Sequence, residues 1–177
     1  MIKLRFAPSP TGNLHVGNFR TALINYLYAK KNGGHFMLRI DDTDTERSKL
    51  EFKESIKEDL IWAGLNWDSE AKQSDRINRY NQVLKTLIEK KLVYPCFETP
   101  EELSLKRKSQ LSSGKPPVYD RSSLNIPDLE IEKLRSEGIK PHYRFLLNHE
   151  TVFWEDLVRG ECKYNLSNVS DPIIVRE

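Results

Sequence analysis

Phe6-Ala-Pro-Ser-Pro-Thr-Gly-Asn-Leu-His-Val-Gly-Asn18 joins two segments of different period. Before it, Ile2, Leu4 and Phe6 alternate with Lys3, Arg5 and Ala7, which reads as a strand. After it, Phe19, Ala22, Leu23, Tyr26 and Leu27 recur at helical spacing. A strand that feeds a loop and then a helix aims the first free backbone N–H groups and the positive end of the helix at one point, where an anion is favoured. Gly12 and Gly17 let a ligand approach the backbone closely, and His15 adds a donor. The junction therefore reads as a nucleotide-phosphate site, although His15 taken alone fits a helix cap or a packed surface ring equally well.

Working outward, Gly33-Gly34 marks the end of that helix, and His35-Phe-Met-Leu-Arg-Ile40 reads as a second, apolar strand. Strand, helix, strand in this order implies a parallel pair with a right-handed crossover. Ser48 and Glu51 have capping-box spacing for a helix running to Gly64 with Leu50, Ile56, Leu60 and Ala63 inward. Ser74 can cap a further helix whose Ile77, Tyr80, Leu84, Leu87 and Ile88 form one apolar stripe, read as core. The texture changes near Pro95. Thr99-Pro-Glu-Glu102 predicts a capped helix over about 100–110, and Ser112-Ser-Gly-Lys-Pro-Pro117 a loop. A short helix near Asp128–Ser136 ends at Gly138. Then β-prone runs follow at His142–Leu147, Thr151–Trp154 and Ile173–Val175.

The composition is that of a soluble globular chain: 177 residues, 31% charged and 38% hydrophobic, enough for one good core or two small domains. No apolar run is long enough to span a bilayer, no signal-peptide pattern opens the chain, and a cytoplasmic location is expected. Cys96 and Cys162 read as free thiols. With 28 basic residues against 26 acidic ones, the net charge of +2 does not itself announce nucleic-acid binding, and Lys106-Arg-Lys108 reads as a solvated helix face.

Arg5-Phe-Ala-Pro-Ser-Pro-Thr-Gly12 followed by His15-Val-Gly-Asn18 resembles the signature of bacterial glutamyl-tRNA synthetases, their form of the class I HIGH motif. Three further stretches resemble that family's landmarks. They are Leu38-Arg-Ile-Asp-Asp-Thr-Asp44 with Arg47-Ser48, Gln73-Ser-Asp-Arg76 with Tyr80, and Phe97-Glu-Thr-Pro-Glu-Glu-Leu103 at the opening of the family's acceptor-binding insertion. Pro141-His-Tyr-Arg-Phe145 through Ser170-Asp-Pro-Ile-Ile-Val175 is similar to the β-rich remainder of that insertion. The implied fold is α/β: a Rossmann-like class I synthetase catalytic half over 1–94, followed by an α+β acceptor-binding insertion over 95–177 that the chain leaves truncated.

The resemblance implies a glutamate–tRNA ligase. Such an enzyme activates glutamate with ATP and transfers it to the 3′ end of tRNA. Its partners are glutamate, ATP with magnesium, and tRNA for glutamate, with tRNA for glutamine left open, and the full-length protein is expected to be a monomer. The reaction needs positioning and charge stabilisation rather than a protein nucleophile. The resemblance assigns ATP to Pro8, Ser9, Pro10, Thr11, Gly12, His15, Gly17 and Asn18, of which His15, Gly17 and Asn18 are the candidate catalytic positions. It assigns glutamate to Arg5, Ala7, Ser9 and Asp41, with Arg5 reading the side-chain carboxylate, and the tRNA terminus to Asp44 and Arg47. Asp41 stands where the family more often has glutamate.

Three rivals stay open: a glutaminyl-tRNA synthetase, toward which Asp41-Asp42-Thr43 leans; a glutamyl-queuosine-type enzyme acting on a modified tRNA base; and a non-catalytic nucleotide- or tRNA-binding module. Some family members carry Cys-x-Cys and Tyr-x-x-x-Cys as zinc ligands. Here only Cys96 stands at the first and Tyr119-Asp-Arg-Ser-Ser123 has no thiol, so no structural zinc is expected. Nothing after Tyr164 resembles the family's KMSKS loop, so this chain alone is expected not to aminoacylate tRNA.

Overall fold

The structure is a computed structural model in which residues 1–176 are described. The chain divides into two compact units, Met1–Val83 and the residues from Leu84 onward.

The first unit follows the strand, helix, strand reading. Strand β1 (Lys3–Phe6), helix α1 (Val16–Lys31), β2 (His35–Ile40), α2 (Leu50–Trp62) and β3 (Ser69–Lys72) come in that order, and the sheet runs β1-β2-β3. All pairs are parallel, with Arg5 opposite Met37 and Arg39 opposite Ala71. Phe36, Leu38 and Ile40, every second residue of β2, are fully buried with Ala22 and Ala29 of α1 and Ile56 and Leu60 of α2. Each of the large ones, Phe36, Leu38, Ile40, Ile56 and Leu60, contributes about 1.5–3 kcal/mol on leaving water. Gly34 turns the chain from α1 into β2 in a space that admits no side chain, since a Cβ there would lie 2.7 Å from the Ile2 carbonyl oxygen.

Expectations for this unit, and for α3 (Ile77–Glu89), in which the boundary between the units falls, are corrected. Lys49, not Ser48, is the N-cap of α2 and no side chain caps it. Leu50 consequently faces water, 71% exposed, while Ile56 and Leu60 are inward as read. Leu27 of α1 is likewise exposed. Helix α3 (Ile77–Glu89) follows a 3₁₀ turn at Ser74–Arg76 and has its apolar stripe, yet none of its residues is buried. Periodicity reports which side of a helix is apolar, not whether a surface covers that side.

In the second unit β4 (Val93–Cys96), α4 (Pro100–Ser112), α5 (Asp128–Ser136), β5 (His142–Phe145), β6 (Thr151–Asp156), β7 (Gly160–Asn165) and β8 (Ile173–Val175) form a sheet in the order β4-β5-β8 and a separate β6-β7 hairpin. Val93 and Tyr94, read with the first half, are hydrogen-bonded into this sheet opposite Phe145 and Arg144, so the division differs from one at 94/95. Thr99 caps α4 as expected. Its hydroxyl accepts from the Glu102 N–H and the Glu102 carboxylate from the Thr99 N–H. Among the described residues no helix is long and apolar enough to cross a membrane.

Candidate functional site

The loop from Ala7 to His15 leaves β1 at its carboxyl end, where ligands of open α/β sheets sit. Alternate residues fix it: Phe6, Pro8 and Pro10 are buried, while Arg5, Ser9 and Thr11 are exposed. The buried prolines serve through their carbonyls. Pro8 O accepts from the Asp41 N–H at 2.9 Å and Pro10 O from the Lys49 N–H at 3.0 Å, tying the loop to the end of β2 and the start of α2. The Thr11 N–H closes a tight turn on Ser9 O at 2.9 Å. Gly12 faces open space, with nothing within 4 Å of where a Cβ would stand.

His15 is the N-cap of α1, and its Nδ1 accepts from the Gly17 N–H at 3.2 Å. This bond satisfies one free donor of the helix and sets the neutral tautomer, because the ring proton must then sit on Nε2. The exposed ring thus presents an Nε2–H donor at the start of α1, next to exposed Gly17 and Asn18. A Cβ on residue 17 would meet the His15 ring at 3.1 and 3.2 Å, tighter than ordinary contact, so the glycine leaves the capping ring its room.

Asp41 lies in a fork the sequence reading missed. Arg39 Nε and Nη2 donate to its two carboxylate oxygens at 2.6 and 2.8 Å, with both side chains about three-quarters shielded from water. Two-residue spacing on a strand places both on one face, a signal that could have paired them. Arg5 is exposed on β1 and Ala7 partly buried just beyond it. Asp42 accepts from the Ser74 N–H and hydroxyl at 2.9 and 2.7 Å, joining the second landmark to the third. Burial works against its charge, but those bonds outweigh it and hold its carboxyl below the usual range. In the third landmark the Tyr80 hydroxyl donates to the Gln73 side-chain carbonyl.

Asp44 and Arg47 are bonded to each other. The Arg47 guanidinium reaches Asp44 Oδ2 at 2.6 Å, and the Arg47 N–H donates to Oδ1 at 3.1 Å. They close an exposed turn beyond β2.

The region compared with a zinc site holds Cys96, Glu98 and His142, whose potential ligand atoms lie within 4.8 Å of one another. Their chemistry does not fit a structural zinc, which takes about four donors with deprotonated thiols. Burial pushes the Cys96 thiol up. The Glu98 carboxylate is already saturated: it accepts from Tyr119 Oη at 2.6 Å, Ser122 Oγ at 2.9 Å and Ser123 Oγ at 2.7 Å, and Lys106 Nζ stands 3.4 Å away. Burial alone would raise its pKa, but the hydroxyls hold it down to about 2. Lys106 also bonds Asp120 and Ser122, so it belongs to this cluster rather than to a solvated face.

The chain matches, over residues 1–177, the model of a family described as tRNA synthetases class I (E and Q), catalytic domain. It is 57% identical over 172 residues to glutamate–tRNA ligase 1 of Rickettsia bellii (strain OSU 85-389) and 58% identical over 172 residues to glutamate–tRNA ligase 2 of Rickettsia canadensis (strain McKiel). Each alignment covers 97% of this chain and 39% of the relative, so the chain spans about two-fifths of the length of these curated relatives. Among solved structures, a glutamate tRNA ligase from Elizabethkingia meningosepticum CCUG26117 in complex with its amino acid superposes with a TM-score of 0.86 at 34% identity, covering 99% of this chain and 38% of that one. A glutamate-tRNA synthetase from Elizabethkingia anophelis gives 0.87 at 34% identity, covering 99% of this chain and 39% of its own.

Proposed function

The chain belongs to the class I tRNA synthetases (E and Q), catalytic domain, and on that premise we propose that it carries the ATP- and glutamate-binding half of a glutamate–tRNA ligase site. The observation that carries this reading is the His15 cap, with Nδ1 spent on the Gly17 N–H and Nε2–H left to an anion. In the proposed site ATP lies along Pro8, Ser9, Pro10, Thr11 and Gly12 with its phosphates toward His15, Gly17 and Asn18. The Nε2–H and the unpaired N–H groups at the start of α1 then stabilise charge as the glutamate carboxylate attacks the α-phosphorus. Arg5 reads the glutamate side chain, while Ala7, Ser9 and Asp41 surround its α-amino end. Asp41 is oriented by Arg39, and each of its oxygens keeps a lone pair for an ammonium. Asp44 and Arg47 meet the tRNA terminus. Magnesium arrives on the ATP phosphates, and the second unit is stable without zinc, which metal analysis tests: about one zinc per chain would reverse the assignment. The cytoplasm is the compartment this reading implies.

The test is calorimetry with ATP on the parent chain and on His15→Ala. Loss of a hydrogen bond to a charged phosphate is worth roughly 1.5–3 kcal/mol, an affinity loss of at least about tenfold. Equal affinities would remove His15 from the site.

A further inference from the structure

A second gathering of cations lies in the second unit, where none of the assigned site residues falls. A cavity of about 340 Å³ opens beside α4, with Arg107, Tyr119, Arg144 and Ser170 in its lining. Arg144 is only 7% exposed. Its guanidinium stacks 4.0 Å from the centre of the Tyr119 ring, and Nη1 donates to the Asp171 carbonyl at 2.7 Å. Its Nε–H is buried with no acceptor among the described residues. Nη2 makes no hydrogen bond among the described residues, so Arg144, which lines the cavity, keeps a donor for an oxyanion.

The acids of the cavity are already spent. Asp171 accepts from Arg121 at 2.7 Å, from the Tyr94 hydroxyl at 2.6 Å and from the Leu147 N–H at 3.0 Å. Asp120 pairs with Lys106, which is shared with Glu98. Arg107 is exposed and makes no hydrogen bond or ion pair among the described residues. Arg121 offsets Asp171 and Lys106 offsets one of the two acids that share it, so with Arg107 and Arg144 the group keeps an excess of one positive charge. Ser170 Oγ accepts from the Tyr119 N–H at 2.9 Å, which leaves its own proton to donate. Leu103, Pro172 and Ile173 supply an apolar wall.

We propose that this cavity is a second anion site of the chain, taking a phosphate monoester with its phosphoryl group between Arg107 and Arg144 and its organic part on the apolar wall. Three donor groups, the Arg107 and Arg144 guanidiniums and the Ser170 hydroxyl, match the three oxygens of a phosphoryl group better than the two of a carboxylate. The site goes beyond the nucleotide site above and shares no residue with it.

The probes are phenyl phosphate and inorganic phosphate, titrated into the ¹⁵N-labelled 177-residue chain and followed by NMR. Phenyl phosphate is expected to shift the amides of Tyr119, Arg144 and Ser170, to bind more tightly than inorganic phosphate, and to leave Gly12–Asn18 unmoved. Arg107→Gln, at an exposed position without partners, is expected to keep the parent's spectrum elsewhere and lose about tenfold in phenyl phosphate affinity. A 5′-phosphorylated RNA trinucleotide and its 5′-hydroxyl counterpart separate the sources. Displacement of phenyl phosphate by the first alone assigns an RNA end, and displacement by neither assigns a small metabolite. No shift around the cavity, or unchanged affinity in Arg107→Gln, overturns the proposal. An ATP titration that still moves Gly12–Asn18 in that case leaves the nucleotide site standing.

Discussion

At position 17 the absence of a Cβ leaves the His15 ring undisturbed where it caps α1. A methyl group there would press on the ring at 3.1 Å from Cε1 and 3.2 Å from Nδ1, closer than ordinary contact. The ring is exposed and can swing away, so Gly17→Ala is expected to fold but to give up the Nδ1 bond and with it the fixed Nε2–H tautomer. Its ATP affinity should fall about as far as that of His15→Ala, and the double variant should be no weaker than either single one, the pattern of two changes acting on one interaction. Additive losses in the calorimeter would mean that Gly17 contributes on its own, through its backbone. Asp41 makes the complementary case. Its shortened side chain is held at both oxygens by Arg39, so its position is set by the strand and not by a ligand.

Elements were legible where local chemistry and tertiary demand agreed. Strand β2 shows three fully buried residues at alternate positions, and α4 shows proline, threonine and glutamate where a capped helix needs them, so both were readable from the chain. Thr99→Ala removes one half of a reciprocal cap and is expected to cost about 1 kcal/mol, measured as a lower urea midpoint with an unchanged slope; a loss confined to the slope would place the effect in the unfolded chain. Strand β3 was missed because Ser-Glu-Ala-Lys carries no strand preference and is recruited by pairing with β2. Strand β4 was obscured by Pro95, and β7 by a polar sequence that becomes a strand only opposite β6. The Ser48 cap failed because the backbone of residue 49 is spent on Pro10, which moves the start of α2 by one residue. Arg39 and Arg144 stand inside quoted motifs, yet the partners of Arg144 and Lys106 are brought near only by the fold, whereas the Arg39–Asp41 pair could have been drawn from its two-residue spacing.

The two units of the molecule place their carboxylates differently, and acid should separate them. The first unit is built on apolar side chains, and its carboxylates with lowered pKa, Asp42 and Asp68, lie at least partly in water. The second encloses Glu98, with a side chain 15% exposed, and Asp171, fully enclosed. Burial opposes charge on both, and hydroxyl, guanidinium and backbone donors overcome it, so both pKa values are lowered. For Glu98 the ordinary value of 4.5 falls to about 2 in the folded chain. Between those values the unfolded chain binds the proton and the folded chain does not. The stabilisation is therefore complete above about 4.5 and is lost as pH falls toward 2, by on the order of 3 kcal/mol for this group. On acidification the NMR signals of β4 and β5 should disappear before those of β1 and β2. Glu98→Gln keeps the shape and cannot titrate; it should be less stable at neutral pH and show a shallower loss between pH 4.5 and 2. If β1 and β2 were lost first, or if the variant kept the parent's full acid sensitivity, Glu98 would not be the group that couples the second unit to pH.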